Sequence, residues 1–208
     1  MIAERNPYRL QTALDPAQPD GPPPHLTLLD LTPSAEVQGL LSRLAPLAVD
    51  GEGEADLVAL LENPNWRLHL IAAAGLLVRG PAPATLKALW DRIELGSWVV
   101  ARLAATAFLL DEHFAARAKS WIEARYGLPS PPRGGIGGIW NVFSAQTATS
   151  LLALLKELPE TESWLAEWEA RPNLQTVLAE SGEAGRTALD WRDAISAEIG
   201  RFAAWRRP

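Results

Sequence analysis

Cysteine is absent from this 208-residue chain. That removes disulfides, thiolate zinc sites and thiol nucleophiles together. Histidine is scarce: His25, His69 and His113 lie 44 residues apart, so no two can form the i, i+4 ligand pair of a helical metal site. Lysine is nearly missing, three residues against sixteen arginines, a bias that fits a GC-rich bacterial genome. Long apolar runs are lacking too. The two longest, Leu68–Val78 (containing His69) and Trp98–Leu110 (containing Arg102), fall well short of the roughly 20 residues that a bilayer span needs. Met1 to Tyr8 carries no apolar core behind a basic stretch, so no signal peptide is expected, and the cytoplasm is the expected location. Neither a Gly-x-Ser-x-Gly elbow nor a His-Glu-x-x-His pair occurs. No catalytic residue, metal ligand set or cofactor is therefore expected.

Positive charge is thin. The net charge is −6. Residues 1–80 hold 5 basic and 10 acidic side chains, residues 81–139 hold 7 and 5, and residues 140–208 hold 7 and 10. Neutralising phosphates requires a concentrated basic face, so nucleic acid is disfavoured as a partner.

What is present is the composition of a folded helical protein. Apolar residues make up 48% and charged residues 21%, which argues against wholesale disorder. Nine tryptophans against two tyrosines and four phenylalanines must be buried or offered to a partner. Residues 1–33 read as a proline-rich arm, because each proline in Asp15–Pro24 fixes φ and lacks an N–H. Within it the run His25–Leu31 is apolar enough to pack, with one short strand expected there. From Ser34 the period becomes helical: Val37, Leu40, Leu41, Leu44 and Leu47 share a face, and a second helix spans Glu54–Glu62.

Two following segments superpose without a gap at an offset of 32 residues. Trp66/Trp98, Ala72/Ala104, Ala73/Ala105, Leu77/Leu109, Ala84/Ala116 and Lys87/Lys119 are identical pairs, within one shared pattern of turn, helix, turn, helix. Each copy is expected to open on an Asn or Ser cap followed by Trp, and to close at a left-handed glycine, Gly96 or Gly127. Trp66 and Trp98, sharing a repeat position, are expected to pack between layers.

The stretch Leu60–Leu76 resembles the HEAT-like repeat, in which an Asp/Asn-Pro turn leads into a helix carrying an aliphatic residue, Ala, then a small residue and Leu. Leu68, Ala72, Gly75 and Leu76 stand at those positions, and Val100, Ala104, Ala107 and Phe108 in the second copy. The arginine common in that family after the aliphatic residue is replaced by His69 and Ala101. The likeness covers about residues 53–126. It implies an all-α fold: a short right-handed α-α superhelix of helix pairs at 34–126, with the proline-rich arm before it. A Gly/Pro-rich loop insertion follows at 127–138, then divergent C-terminal helices at 139–208, the whole forming one compact domain. Those last helices are expected at about Ile139–Leu158, Thr161–Arg171, Asn173–Glu180 and Gly185–Trp205, the break falling at Ser181-Gly182.

The preferred functional expectation is a non-enzymatic protein–protein interaction module or adaptor whose partner is another protein. Candidate contact residues are Arg133 and Ile136 in the loop, Trp140 just after it, and Trp164 and Trp168 one turn apart. The loop lacks the Lys-Ser/Thr ending of a phosphate loop and follows no strand. The resemblance also admits an enzyme, since some HEAT-like proteins are alkylpurine DNA glycosylases with aromatic and acidic residues along a basic groove. Others act on bilin chromophores, and no residue here selects that reading. A third expectation is a bacterial immunity or assembly factor. Fold alone does not choose among these.

Overall fold

A computed structural model describes residues 9–14, 24–30, 35–127 and 139–202, and every regular element among them is helical. In chain order these are α1 (Arg9–Leu14), α2 (Pro24–Asp30), α3 (Ala35–Val49), α4 (Gly53–Glu62), α5 (Trp66–Arg79), α6 (Pro83–Leu95), α7 (Val100–Leu110) and α8 (Phe114–Tyr126). Then come α9 (Ile139–Leu155), a 3-10 turn (Pro159–Thr161), α10 (Glu162–Glu169) and α11 (Pro172–Phe202). No helix among the described residues is long and apolar enough to cross a membrane. Most of the proline-rich stretch (15–23) and nearly all of the Gly/Pro-rich loop (128–138) lie outside the described residues. The chain divides into two compact units, Met1–Arg92 with Asp193–Pro208, and Ile93–Arg192.

The first unit is built around α5. Every residue from Leu68 to Val78 is buried, so this helix has no polar face and must be enclosed. Helices α1, α2, α3 and α4 all pack against it. Ala72, Ala73, Ala74 and Gly75 keep its surface low, which lets those neighbours come close. Asn65 caps it as expected, its side-chain oxygen accepting from the Arg67 N–H at 3.1 Å. Where a strand is expected at His25–Leu31, the described residues His25–Asp30 are helical instead: Pro24 occupies the first helical position, where its missing N–H costs nothing, and Leu28 is buried.

Charged side chains in this unit tie helices together at their ends. Arg9 of α1 reaches Asp50 with both terminal nitrogens at 2.6 Å, and its Nε donates to the buried carboxylate of Asp56. The Arg9 hydrogen bonds hold the Asp50 carboxyl down at about 2. Asp50 also accepts the N–H groups of Glu52 and Gly53, closing the turn into α4. Two further arginines bind main-chain carbonyls at helix C-termini, which otherwise lack partners. Arg79 donates to Ala48 O at 2.7 Å and Asp50 O at 3.0 Å, finishing α3. Arg92 donates to Leu61 O at 2.6 Å and Glu62 O at 2.9 Å, finishing α4.

In the second unit α7 packs chiefly on α9. Residues Val100, Ala101 and Leu103–Ala107 are buried, repeating the character of α5. Arg125 of α8 donates to Glu94 O at 3.4 Å, finishing α6 as Arg92 finishes α4. The acceptors Glu62 and Glu94 are an offset-32 pair, while the donors Arg92 and Arg125 stand 33 residues apart, so a similar tie is made from a position shifted by one. Asp111 Oδ1 accepts the His113 N–H at 3.0 Å and supports the start of α8. Three hydroxyls on α9 donate back along their own helix: Thr147 to Phe143 O, Thr149 to Ala145 O and Ser150 to Gln146 O, at 2.7–2.8 Å. Polar residues thus enter the core already satisfied.

Three local expectations need correction. Ser181-Gly182 does not break a helix, because α11 runs unbroken from Pro172 to Phe202. Gly185 is buried on that helix, where a β-carbon would stand 3.1 Å from the Ala153 Cβ and 3.2 Å from Thr149 O. Glycine here serves close approach to α9, and that packing offsets its poor helix propensity. Gly127 closes α8 with φ −73°, in the right-handed region, whereas Gly96 has the expected positive φ of 84°. The second copy also starts late: Ser97 accepts the Val99 N–H, and α7 begins only at Val100, leaving Trp98 in the turn.

Two stability predictions follow from the first unit. A β-carbon at Gly53 would lie well inside contact distance of the Ala48 carbonyl, backbone that cannot step aside. Gly53→Ala should cost about 1–3 kcal/mol in urea unfolding. Gly39→Ala, on exposed α3 surface with nothing near, should gain about 0.5–1 kcal/mol. His69 is the second case. Burial holds its imidazole at about 4, and Nε2 lies 2.6 Å from Asn63 O. A depressed folded-state value means the unfolded chain takes up the proton first. The contribution is therefore whole above pH 6.5 and is lost as pH falls toward 4, up to roughly 3 kcal/mol. His69→Gln should flatten the pH dependence of urea midpoints across that window.

Candidate interaction site

The anticipated contact residues do not all fall where they can be placed. Arg133 and Ile136 lie outside the described residues, and Trp140 falls in the first turn of α9. Trp164 and Trp168 are adjacent on α10, their rings stacked at 5.2 Å with 22° between planes. Both are engaged within the unit. Lys119 of α8 lies 5.5 Å over Trp164, and Arg171 lies 3.8 Å over Trp168. The Trp164 indole N–H donates to Glu123 Oε1 at 2.8 Å. Trp168 is 4% exposed, so its ring is core, while Trp164 is half-buried. Lys119 and Glu123 thus tie α8 to α10 through Trp164, one by a cation over the indole face and the other by a hydrogen bond.

Trp121 extends the pattern on α8. Arg125 stands 4.7 Å over its ring, and Tyr126 lies 6.4 Å away, its hydroxyl pushed up by burial. The Trp121 Nε1 is buried without a hydrogen-bond partner among the described residues.

A different cluster stands open. Among the described residues, the large apolar side chains with most exposure are Trp98 at 65%, Leu95 at 54%, Val142 at 46% and Val49 at 43%. Three of these four belong to one place in the second unit. The Trp98 ring meets Phe143 edge-on at 5.2 Å, and Gly96 lies against the same side chain. Leu95 and Val142 are the immediate chain neighbours of Gly96 and Phe143. Gly96 is required twice over: its φ is positive, and a β-carbon there would stand 2.9 Å from the Phe143 Cβ. That approach pins the turn against the start of α9 and leaves Trp98 outside.

Repeat logic assigns Trp98 to packing, and the structure overturns that. Trp66, its partner in the alignment, is half-buried as the first residue of α5. It receives the His25 ring edge-on at 5.7 Å and the Arg67 guanidinium 5.0 Å over its face. Trp98 also receives a ring edge-on, from Phe143, but the residue aligned with Arg67 is Val99, which is buried. That Arg-to-Val change, with the glycine before the cap, was the available signal that the two tryptophans differ.

No group of three or more His, Asp or Glu able to hold a metal ion occurs among the described residues. No protein family, curated protein or solved structure matches the chain.

The two kinds of tryptophan should separate in stability measurements. Trp168→Ala removes a buried ring and its cation contact, and should cost about 3–5 kcal/mol. Trp98→Ala should cost less than about 1 kcal/mol, the Phe143 contact being its main loss. Equal losses in urea unfolding would show that Trp98 is a structural residue.

Proposed function

We propose that this chain is a non-enzymatic protein-interaction module built from HEAT-like helix pairs in a short right-handed superhelix. It works in the cytoplasm and engages another protein, not nucleic acid. The observation that carries this reading is the open cluster of Leu95, Trp98 and Val142. Monomeric proteins seldom leave a tryptophan uncovered beside other large apolar groups unless something binds there, and tryptophan is enriched where interfaces concentrate their energy. A rigid turn, fixed by Gly96 against Phe143, presents the ring without the entropy cost of ordering a loop. The arginine ties at the ends of α4 and α6 support the helix-pair reading: the acceptors Glu62 and Glu94 are 32 residues apart, and the donors Arg92 and Arg125 are 33 apart.

Preference for protein over nucleic acid rests on where the cations are spent. Arg9, Arg79, Arg92, Lys119, Arg125 and Arg171 are engaged with carboxylates, helix-end carbonyls or indole faces. Lys87, Arg117, Lys156 and Arg192 are paired with carboxylates as well, so most cations among the described side chains are already engaged.

Photo-cross-linking from position 98 in the native host tests the reading, with position 87 on α6 as the control. One protein species captured from 98 and not from 87, and competed by unlabelled chain, is the expected result. Capture of nothing from 98 would remove the proposal. Duplex DNA at low salt should show no fluorescence anisotropy change at micromolar protein; saturable binding there would favour the glycosylase-type alternative.

A further inference from the structure

One histidine of the first unit accepts a hydrogen bond that exists only while its ring is neutral. Arg67 Nε, in the first turn of α5, donates at 3.2 Å to His25 Nε2, in the first turn of α2. A guanidinium stays charged and only donates, so Nε2 is the bare nitrogen and the ring proton sits on Nδ1. The same arginine lies 5.0 Å over the Trp66 ring, which His25 meets edge-on at 5.7 Å. These three side chains join the start of α2 to the start of α5, and Leu28 is buried one turn further along α2.

A proton on His25 turns this attraction into repulsion. The accepting lone pair is lost, and a new N–H faces the Arg67 N–H across the same gap. The surroundings give the added charge no relief. His25 and Arg67 each hold the second position of their helix, at its positive pole. Neither first turn contains an acidic residue, and Asp30 stands at the far end of α2. The other helix packed on α2 is α3, whose charged residues are Glu36 and Arg43. Trp66 already has a guanidinium over its ring. Burial and the Arg67 charge accordingly hold the His25 imidazole below its ordinary value of 6.5.

We propose that α2 is an acid-released latch: protonation of His25 undocks it from α5 and uncovers Trp66, while the rest of the first unit stays folded. The latch is closed above pH 6.5 and opens as pH falls below it, because the released helix takes up the proton more readily than the docked one. A helix of seven residues makes few contacts, so the loss of one interaction weighs heavily on its docking. The core beneath is held by other means. Helices α3 and α4 pack on α5 as well, and the Arg79 and Arg92 ties to helix ends involve no histidine. His69 is fully buried whereas His25 is half-buried, so His25 takes its proton first.

The test uses the full chain, wild type and His25→Gln, whose amide oxygen can accept from Arg67 at every pH. The His25 ring is titrated by NMR, and amide exchange is compared between the two chains at each pH, so the intrinsic pH dependence of exchange cancels. From pH 7.5 to 5.5, wild-type protection at Leu28 and Leu29 should fall about two- to ten-fold relative to His25→Gln, the range one lost hydrogen bond supplies. The Trp66 indole signal should move with it in the wild type alone. Protection at Ala72–Ala74 of α5 should hold. Arg67→Gln should raise the His25 midpoint.

A His25 midpoint at or above 6.5 in the folded chain would overturn the proposal, as would equal protection of α2 in both chains throughout. Loss of α5 protection together with that of α2 would also overturn it, because the unit would then be melting as a whole. An unmoved midpoint in Arg67→Gln would do the same, since the arginine contact would not be what resists the proton.

Discussion

A helix with no polar face has to be surrounded, and the described structure is largely a consequence of that requirement. In α5 every residue from Leu68 to Val78 is buried, and α7 repeats the condition over most of its length. Alanine and glycine at these positions supply little apolar surface of their own. The gain comes from admitting neighbours closely enough for leucines elsewhere to interlock. In the first unit that demand recruits even the short helices α1 and α2. In the second it makes α9 the principal neighbour of α7.

Close packing of helices brings their ends together, and the ends carry unpaired carbonyls. Arginines from later helices meet this need at α3, α4 and α6. Polar side chains inside the packed region solve the same problem locally, as Thr147, Thr149 and Ser150 do by bonding to their own helix. What remains uncovered is then informative. Trp98 sits just before α7, held out by a glycine turn, whereas Trp66, Trp121, Trp164 and Trp168 each lie under a cation of the same unit.

Much of the helical architecture was legible in the sequence because it depends on period and on stop signals. The apolar spacing in α3, the Asn65 cap and the positive φ at Gly96 all follow from short-range rules. The errors arose where tertiary contact overrode them. Ser181-Gly182 looks like an end, but α11 continues past it, and Gly185 a few residues on turns out to face Thr149 and Ala153. The run at His25–Leu31 looks like a strand until Pro24 is recognised as a helix start. At the candidate site the repeat itself misled. Matching Trp98 to Trp66 implies equal burial, whereas Trp66 is half-buried beside His25 and Arg67 and Trp98 is 65% exposed with Phe143 against its ring. Leu95 and Val142 bear no motif and were missed altogether; only three-dimensional proximity groups them with Trp98.

The arginine ties have one more consequence. A guanidinium spans two carbonyl oxygens at once, as Arg92 does with Leu61 and Glu62, and an ammonium reaches them only as a point charge. The shortage of lysine, read at first as a mark of genome composition, thus has a mechanical side. Joints of this kind are chemically blind to acetylation and other lysine-directed modification, because no amine takes part in them. Arginine-selective dicarbonyl reagents would attack them directly, loosening helix ends while leaving the aromatic surface of Trp98 intact.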